Sequence, residues 1–196
     1  MKREISDKNI LDKFVIDFVR VTDKYVKYII VSGFVAIAHG RTRGTEDIDM
    51  IIEKIPIEKF INLHNALLNA GFECIQSSEP LVIYDYLTHS TSIRYTRNGE
   101  FLPEMEIKFA KDSLDELQLK TRKKLELTGL DVYFSSIEMN IAFKEELLKS
   151  DKDMEDARHL RVIYKDSINE NEINEIKKQI KHLRLREVKE KYQKNF

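Results

Sequence analysis

The stretch RTRGTEDIDMII, residues 41 to 52, places two aspartates one residue apart, directly before an unbroken apolar run. Side chains alternate between the two faces of a β-strand, so Asp47 and Asp49 project from one face while Met50 and its alternate neighbours project from the other. The apolar residues identify the face that packs into a core. The aspartates need another explanation, because carboxylates that lie close together repel each other and are costly to desolvate.

A divalent metal ion offsets such repulsion between carboxylates. Mg²⁺ prefers hard oxygen ligands and is typically held by one or two carboxylates together with substrate phosphates and water. The spacing of Asp47 and Asp49 therefore suits a metal-bridged phosphate site. Asp-x-Asp pairs are also frequent in turns and exposed strands, so the pair by itself leaves a catalytic and a structural role open.

Two further segments favour the catalytic role. The small residues of VSG, residues 31 to 33, let backbone N–H groups and the Ser32 hydroxyl approach a phosphate closely; the alternative is a simple tight turn. In EMEIKF, residues 104 to 109, Glu104 and Glu106 share one face and apolar residues share the other. If the sheet places this strand beside the aspartate strand, Glu106 supplies a third carboxylate for two-metal phosphoryl transfer. Otherwise it is an edge strand with alternating charges.

Apolar periodicity, capping residues and turn residues divide the chain into interspersed helices and strands. The predicted strands lie at 28 to 33, 47 to 52, 81 to 86, 91 to 97, 104 to 109 and 130 to 134, and a tight turn at Asn98-Gly99 precedes the fifth of them. The predicted helices of the first part are one capped by Ser6, a short turn closed by Gly40, one from Pro56 to Leu68 ended by Gly71, and one from Ser113 to Leu125. Two further helices begin at Ser135, in a capping box with Glu138, and near Asp151. This order favours an α/β or α+β domain with a mixed central sheet flanked by helices, and a helical C-terminal segment.

Composition excludes several classes of protein. The 196 residues fit one ordinary domain or a core with a small appendage, and a net charge of −1 favours neither nucleic acid nor membrane as a partner. The longest apolar stretches fall short of the roughly 20 residues of a membrane span. The N-terminus lacks the apolar segment of a signal peptide, so we expect a cytoplasmic protein. The single cysteine, Cys74, excludes a disulfide framework and is expected in the core.

The end of the chain differs in charge from the rest. Residues 177 to 196 hold eight Lys or Arg against two Glu, a local charge of +6. A run of this kind is commonly one solvated helix face, and the functional alternative is contact with a phosphate backbone.

The segment VSGFVAIAHGRTRGTEDIDMII, residues 31 to 52, resembles the signature of the nucleotidyltransferase superfamily that includes DNA polymerase beta. It is particularly similar to the minimal branch with toxin-like AbiEii and MenT nucleotidyltransferases, and more distantly to lincosamide and aminoglycoside nucleotidyltransferases. Those relatives commonly have Gly-Gly or Gly-Ser where this chain has Ser32-Gly33. The segment at 141 to 160 resembles the family's lysine-bearing helix and the Lys/Arg-Asp-x-x-Asp helix that follows it.

The resemblance implies a role for each matching acidic or turn residue. Ser32 and Gly33 match the turn that holds nucleotide phosphates, and Asp47 and Asp49 match the metal-binding pair. Glu106 matches the third carboxylate, which also binds metal and acts as base toward the acceptor hydroxyl. Glu104, on the same strand face, is the second choice for that role.

The resemblance also implies nucleotide-binding roles for residues outside the carboxylate set. These are Arg41, Arg43 and Thr45, which precede the aspartates, and Lys144 and Lys152 in the helical part. An arginine in the first group would bind phosphate bidentately, although a solubilising loop is an alternative. Lys144 matches a lysine that approaches the triphosphate. Lys152, with Asp153 and Asp156, would orient the C-terminal helices, and exposed i to i+3 charge pairs explain this set equally.

The expected protein is a nucleotidyltransferase core at 1 to 134 with a helical segment at 135 to 196. The resemblance implies transfer of an NMP from an NTP, such as ATP, to a hydroxyl acceptor with Mg²⁺ or Mn²⁺. A tRNA 3′ end, tracked by residues 177 to 196, is the first choice of acceptor, in a toxin-antitoxin-like system with an antitoxin protein as partner. A protein, a small antibiotic-type molecule, or a noncatalytic nucleotide- or RNA-binding relic are the alternatives.

Overall fold

The computed structural model describes residues 9 to 193, with side chains up to Arg186. The chain divides into two compact units between Ser135 and Ser136. Ser6, the predicted cap of the first helix, lies outside the described residues. Asn9 caps this helix, and its side chain accepts a hydrogen bond from the Asp12 backbone N–H at 2.8 Å.

In its described part, the first unit contains five α-helices, one short 3₁₀ helix (Glu126–Thr128) and a sheet of seven strands. The helices are α1 (Ile10–Thr22), α2 (Gly33–Ala38), α3 (Ile57–Asn69), α4 (Pro80–Thr88) and α5 (Ser113–Lys120). The strands are β1 (Tyr28–Val31), β2 (Asp47–Ile52), β3 (Phe72–Cys74), β4 (Ile93–Arg97), β5 (Glu104–Phe109), β6 (Lys123–Lys124) and β7 (Tyr133–Phe134).

The sheet is mixed. Its strand order is β3-β4-β5-β2-β1-β7-β6, and only the β2/β5 and β1/β7 pairs of the described strands are parallel. The sequence prediction of a mixed α/β fold is therefore confirmed. The pairing of β2 with β5 joins segments that are far apart in the chain, and it places the two acidic strands next to each other.

The two faces of the central strands are covered differently. On one face, Phe18 of α1 lies edge-on against the Tyr95 ring with centroids 5.8 Å apart, and His64 of α3 contacts the Tyr95 hydroxyl at 2.7 Å. On the other face, Leu119 of α5 packs in a cluster with Ile29 and Ile51. Helix α5 thus covers only one end of this second face, whose other end carries the polar residues of β2 and β5.

The predicted strand at 81 to 86 is wrong, because these residues belong to α4. Pro80 stands in the first turn, where its missing N–H costs nothing, and Ile83 and Leu87 are buried at helical spacing. Leu81 is 66% exposed, so the apolar run is not buried as a whole. Pro80 indicates the start of a helix, whereas the β-branched and aromatic residues that follow it favoured the strand prediction.

Other predicted boundaries shift. Helix α5 ends at Lys120 instead of Leu125, because the next residues turn to pair β6 with β7, and the strand predicted at 130 to 134 is reduced to β7. A turn forms at Asn98-Gly99, where the Glu100 N–H donates to the Arg97 carbonyl at 2.9 Å, but the connection then continues to residue 103. Strand β3 was not predicted, and its Cys74 is half-buried instead of lying fully in the core.

The second unit is helical over its described residues. It contains α6 (Ile137–Phe143), a π-helical segment (Lys144–Leu148), α7 (Asp151–Ile163) and α8 (Glu170–Gln193). The predicted start of α7 is confirmed. The Ser135–Glu138 capping box is wrong: Ser136 caps α6, and its hydroxyl accepts from the Met139 N–H at 3.2 Å. Within residues 9 to 193, no helix combines the length and apolar character that a membrane crossing requires.

Candidate active site

Four carboxylates share one face of the sheet. In the parallel β2/β5 pair, Asp47 lies opposite Glu104 and Asp49 lies opposite Glu106. Paired residues on adjacent strands point to the same side, and the strands are about 4.8 Å apart. All four residues are half-buried, whereas the alternating apolar residues of both strands are buried. The buried residues fix the register, because a slip by one residue would move every carboxylate to the core side.

Arg94 of β4 belongs to this face and was not predicted as a site residue. It lies opposite Glu106, and its Nη2 and Nε are 2.9 and 3.1 Å from Glu106 Oε2. Its Nε is also 3.3 Å from Oε2 of Glu104. The hydrogen bonds and charge of Glu106, followed by the charge of Glu104, raise the pKa of Arg94. The turn at Asn98-Gly99 predicted that these strands are neighbours, but the longer connection sets a register that the sequence does not reveal.

Ionisation of the Asp49 carboxyl is disfavoured by its surroundings in the site. Burial raises the pKa of this carboxyl above its usual range, and the nearby charges of Asp47 and Glu106 raise it further. A hydrogen bond from the Ser32 hydroxyl and the positive charge of Lys108 act in the opposite direction. The pKa remains raised, so crowding and burial outweigh the favourable partners.

The Ser32-Gly33 turn ends β1 directly against Asp49. Ser32 has φ 63° and ψ −136°, a conformation that glycine adopts more easily than any residue with a Cβ. This explains physically why the related signatures commonly carry glycine here. Gly33 lets a side chain approach closely: a Cβ at this position would lie 2.8 Å from Nη2 of Arg43 and would displace the end of that flexible side chain. The guanidinium of Arg43 therefore rests directly on the turn.

The loop between α2 and β2 places the other predicted residues of the first unit. Thr45 donates from its hydroxyl to the backbone oxygen of Asp47 at 2.9 Å and to Asp47 Oδ1 at 3.1 Å. Arg41 is half-buried, and its backbone N–H donates to the Ala36 carbonyl at 3.0 Å. Thr45 thus orients one aspartate of the pair, just as Ser32 binds the other.

The donor set of β2 fits a divalent cation through two carboxylates. Asp47 and Asp49 are hard oxygen donors on one face, and the raised pKa of Asp49 records a crowding that a cation would relieve. Within residues 9 to 193, no three Asp, Glu, His or Cys side chains are gathered closely enough to hold a metal ion together. Glu106 differs from the aspartate pair in that its Oε2 accepts a hydrogen bond from Arg94 at 2.9 Å.

Of the two lysines predicted as site residues in the second unit, Lys144 contacts two acidic residues of α7. Lys144 is 1% exposed, and its Nζ lies 2.8 Å from Oδ2 of Asp156, which is fully buried, and 3.5 Å from Oδ1 of Asp153. Lys152 is exposed on the first turn of α7. The sequence prediction grouped Lys152 with Asp153 and Asp156 and treated Lys144 separately, so it did not foresee that Lys144 and Asp156 form a buried ion pair.

Two basic residues of α8 are paired with acidic residues of the π-helical segment. Lys177 Nζ lies 2.5 Å from Oε2 of Glu145, and Lys181 Nζ lies 3.5 Å from Oε2 of Glu146. Arg161 binds Glu145 as well, with its Nε at 2.6 Å. Burial alone would raise the pKa of Glu145, but the bonds from Arg161 and Lys177 outweigh it and hold the pKa below its usual range.

Known structures with a similar fold are nucleotidyltransferases. The solution structure of the antibiotic-resistance factor ANT(2'')-Ia aligns with a TM-score of 0.56 at 12% identity, over 93% of this chain and 97% of that one. The crystal structure of ANT(2'')-Ia in complex with adenylyl-2''-tobramycin gives 0.53 at 15% identity, over 89% and 98% of the two chains.

A third similar structure comes from Paracoccidioides brasiliensis. This antigenic nucleotidyltransferase-like protein has a TM-score of 0.50 at 19% identity, over 88% of each chain. At these identities the likeness shows the fold, and the chain has the nucleotidyltransferase fold. No protein-family model matches the sequence, and no curated protein matches it.

Proposed function

We propose that this chain is a metal-dependent nucleotidyltransferase, which moves an NMP from an NTP to a hydroxyl group and releases pyrophosphate. The observation that carries the proposal is the pairing of β2 with β5, which puts Asp47 and Asp49 beside Glu104 and Glu106. Four carboxylates crowded on a half-buried face are unfavourable for folding, and cation-assisted phosphoryl transfer gives them a use.

Asp47 and Asp49 are the residues that would hold Mg²⁺ or Mn²⁺. A bound ion would supply charge neutralisation for the NTP phosphates. The chain itself supports the pair from both sides: Thr45 donates to Asp47, and Ser32 donates to Asp49. In such chemistry, positioning and electrostatics provide most of the catalysis, so well-held carboxylates and a few cations suffice.

The NTP phosphates are proposed to bind at the Ser32-Gly33 turn. Arg43, whose guanidinium rests on this turn, supplies a forked donor for phosphate oxygens. Arg41 and Lys152 remain proposed nucleotide contacts on the resemblance alone. For Lys144, the resemblance supports contact with the triphosphate, whereas its buried ion pair with Asp156 supports a structural role.

Glu106 is proposed as the base toward the acceptor. The acceptor oxygen forms a bond to the α-phosphorus, the bond to the pyrophosphate oxygen breaks, and the hydroxyl proton passes to Glu106. Because the Arg94 bonds end on Oε2 of Glu106, they leave Oε1 out of that contact. Glu104, which shares Arg94, remains the alternative base.

An RNA 3′ end is the first proposed acceptor, and the basic face of α8 supports it. The side chains of Lys178 and Lys181 are 71% and 63% exposed, and they pair with Glu175 and Glu146. Exposed ion pairs of this kind contribute only about 0–1 kcal/mol to the stability of the fold. Phosphate groups of an RNA can therefore replace Glu175 and Glu146 as their partners at little cost. A cytoplasmic toxin-like role with an antitoxin partner belongs to this version of the proposal.

A small cationic molecule is the second candidate acceptor. It is favoured by the similarity to ANT(2'')-Ia, whose crystal structure contains adenylyl-2''-tobramycin. The excess of carboxylates on the β2/β5 face complements an amine-bearing substrate electrostatically.

The test follows label from each α-labelled NTP, with Mg²⁺ or Mn²⁺, into total RNA, into the protein itself, and into aminoglycosides and lincosamides. The Asp47→Asn/Asp49→Asn protein runs alongside, with Asp85→Asn/Asp131→Asn as a control that removes the same charge from exposed sites. We expect label in one acceptor class that only the first double substitution abolishes. No label in any class, with unchanged NTP binding by the first variant, would instead indicate a noncatalytic nucleotide-binding relic.

A further inference from the structure

Arg94 connects the two glutamates of the carboxylate face. Its guanidinium contacts Oε2 of both Glu104 and Glu106, and the bond to Glu106 uses two nitrogens. The side chain is 45% exposed, so it does not serve the hydrophobic core. Two charge-assisted hydrogen bonds from one guanidinium to a single carboxylate oxygen hold the position of that oxygen.

We propose that Arg94 is a positioning residue that holds Glu106 in place, and that its charge lowers the affinity of the β2/β5 carboxylate face for a divalent cation. The positioning role rests on the function proposed above. The effect on cation affinity depends only on the charges of the face.

The positioning role follows from how the contact is divided between the two oxygens of Glu106. Both Arg94 bonds end on Oε2. Oε2 is thereby held in place, while Oε1 takes part in neither bond and can meet an acceptor hydroxyl. Without Arg94, Glu106 would select among several rotamers, and misplacing a reacting group by about 1 Å can cost about a hundredfold in rate.

The effect on cation affinity follows from Coulomb's law. Arg94 places one positive charge among four carboxylates, and it contacts two of them. A divalent ion that approaches Asp47 and Asp49 is repelled by this charge. For a half-exposed site that water screens, removing the charge should tighten cation binding by about tenfold.

The experiment compares three variants of the full chain. Arg94→Gln removes the charge and the fork, Arg94→Lys keeps the charge without the fork, and Arg97→Gln removes a charge from the same strand. Arg97 is the matched control because it lies on the opposite side of β4, paired with Asp17 at 2.5 Å and over the Phe72 ring. Melting temperatures identify any variant that does not fold.

Mn²⁺ binding is measured first, by calorimetric titration without nucleotide. We expect Arg94→Gln to bind Mn²⁺ about tenfold more tightly than the wild type, with Arg94→Lys and Arg97→Gln within about twofold of it. An affinity of Arg94→Gln equal to that of Arg97→Gln overturns the inference about charge. This titration requires no transfer activity, so it gives an answer even if the proposed function fails.

The transfer rate at saturating Mn²⁺ is measured second. We expect kcat to fall about ten- to a hundredfold in both Arg94 variants, with KM for the NTP unchanged, because only the base is misplaced. Tighter cation binding combined with a lower kcat is a pair of effects that a merely structural residue does not produce. Arg94 variants with wild-type kcat overturn the positioning role, whereas an inactive wild type indicates failure of the proposed function.

Discussion

Two groups of charged side chains, one in each unit, differ in their burial and in their balance of positive and negative charge. On the β2/β5 face, four carboxylates are accompanied by Arg94 and Lys108, so negative charge is in excess and the residues are half-buried. In the second unit, Lys144 and Asp156 are almost completely buried and pair with each other at 2.8 Å. The raised pKa of Asp49 shows that burial and the neighbouring negative charges disfavour ionisation in the first group.

The difference separates charges that stabilise the fold from charges that are available to a ligand. A buried pair resists the loss of either partner, because the remaining charge would be left in the interior. A crowded and half-exposed group lowers stability slightly, and an incoming cation or phosphate can offset that cost. Substitutions in the two groups should therefore have opposite consequences for activity and stability.

The largest effect is expected from the aspartate pair. Asp47→Asn/Asp49→Asn should reduce nucleotidyl transfer by about a thousandfold or more, because the variant loses the oxygen ligands of the cation while keeping its shape. Thermal unfolding should show a melting temperature equal to or above that of the wild type. A double variant that keeps its transfer activity would show that the carboxylates of the β2/β5 face do not serve catalysis.

The largest effect on stability is expected from the buried pair. Lys144→Met leaves Asp156 without its main charge partner, and breaking a buried pair in this way costs about 3–5 kcal/mol. Urea unfolding followed by circular dichroism measures the loss. Lys144→Met/Asp156→Leu should recover much of it, since both charges are removed together. If Lys144→Met keeps wild-type stability and loses transfer activity, Lys144 acts on the nucleotide instead.

A pH-dependent effect is expected from Asp49→Asn alone. The folded protein binds the Asp49 proton more strongly than the unfolded chain does, so this group lowers stability as the pH rises from its usual pKa of 3.8 through the raised value. The cost is complete once the pH exceeds the raised value, and Asn avoids it. Asp49→Asn should therefore be more stable than the wild type near pH 7, and the gain should shrink as the pH falls toward 3.8.

The gain can be measured by urea unfolding of both proteins across this pH range. Thr45→Val serves as the control, because it alters the neighbouring aspartate contact without removing a titrating group. A gain that is equal at all pH values, or that grows at low pH, would show that crowding at Asp49 is not its cause.

The smallest effect on stability is expected on the exposed face of α8. Lys178→Gln/Lys181→Gln should change the free energy of unfolding by less than about 0.5 kcal/mol, because both ion pairs are open to solvent. If RNA binds this face, the same variant should lower RNA affinity and flatten its dependence on salt, which a filter-binding series would detect. RNA binding that is unchanged would move the acceptor proposal toward small molecules.

The acidic strands were predictable because alternation carries local information. In β2 and β5, polar and buried residues alternate at the period of a strand, so the face of Asp47 and Glu106 follows from the sequence alone. The mixed sheet followed from the order of such elements. Residues 81 to 86 lack that alternation, and a short apolar run of this kind fits a helix as well as a strand.

The remaining contacts depend on distances that no local pattern encodes. Arg94 reaches Glu106 only because of the register between β4 and β5, which the connection at 98 to 103 sets. The pair of Lys144 and Asp156 likewise depends on how α7 packs on the π-helical segment. The sequence could indicate that these residues are charged and close to other motifs, but not which carboxylate each cation meets.

The contact between Gly33 and Arg43 has a consequence for the placement of the Arg43 charge. Since a Cβ at position 33 would lie 2.8 Å from the Arg43 guanidinium, Gly33→Ala should displace the end of this flexible side chain from the turn. The fold should tolerate that shift, while the positive charge moves away from Ser32. The position of this charge therefore depends on a residue that nine others separate from it in the sequence.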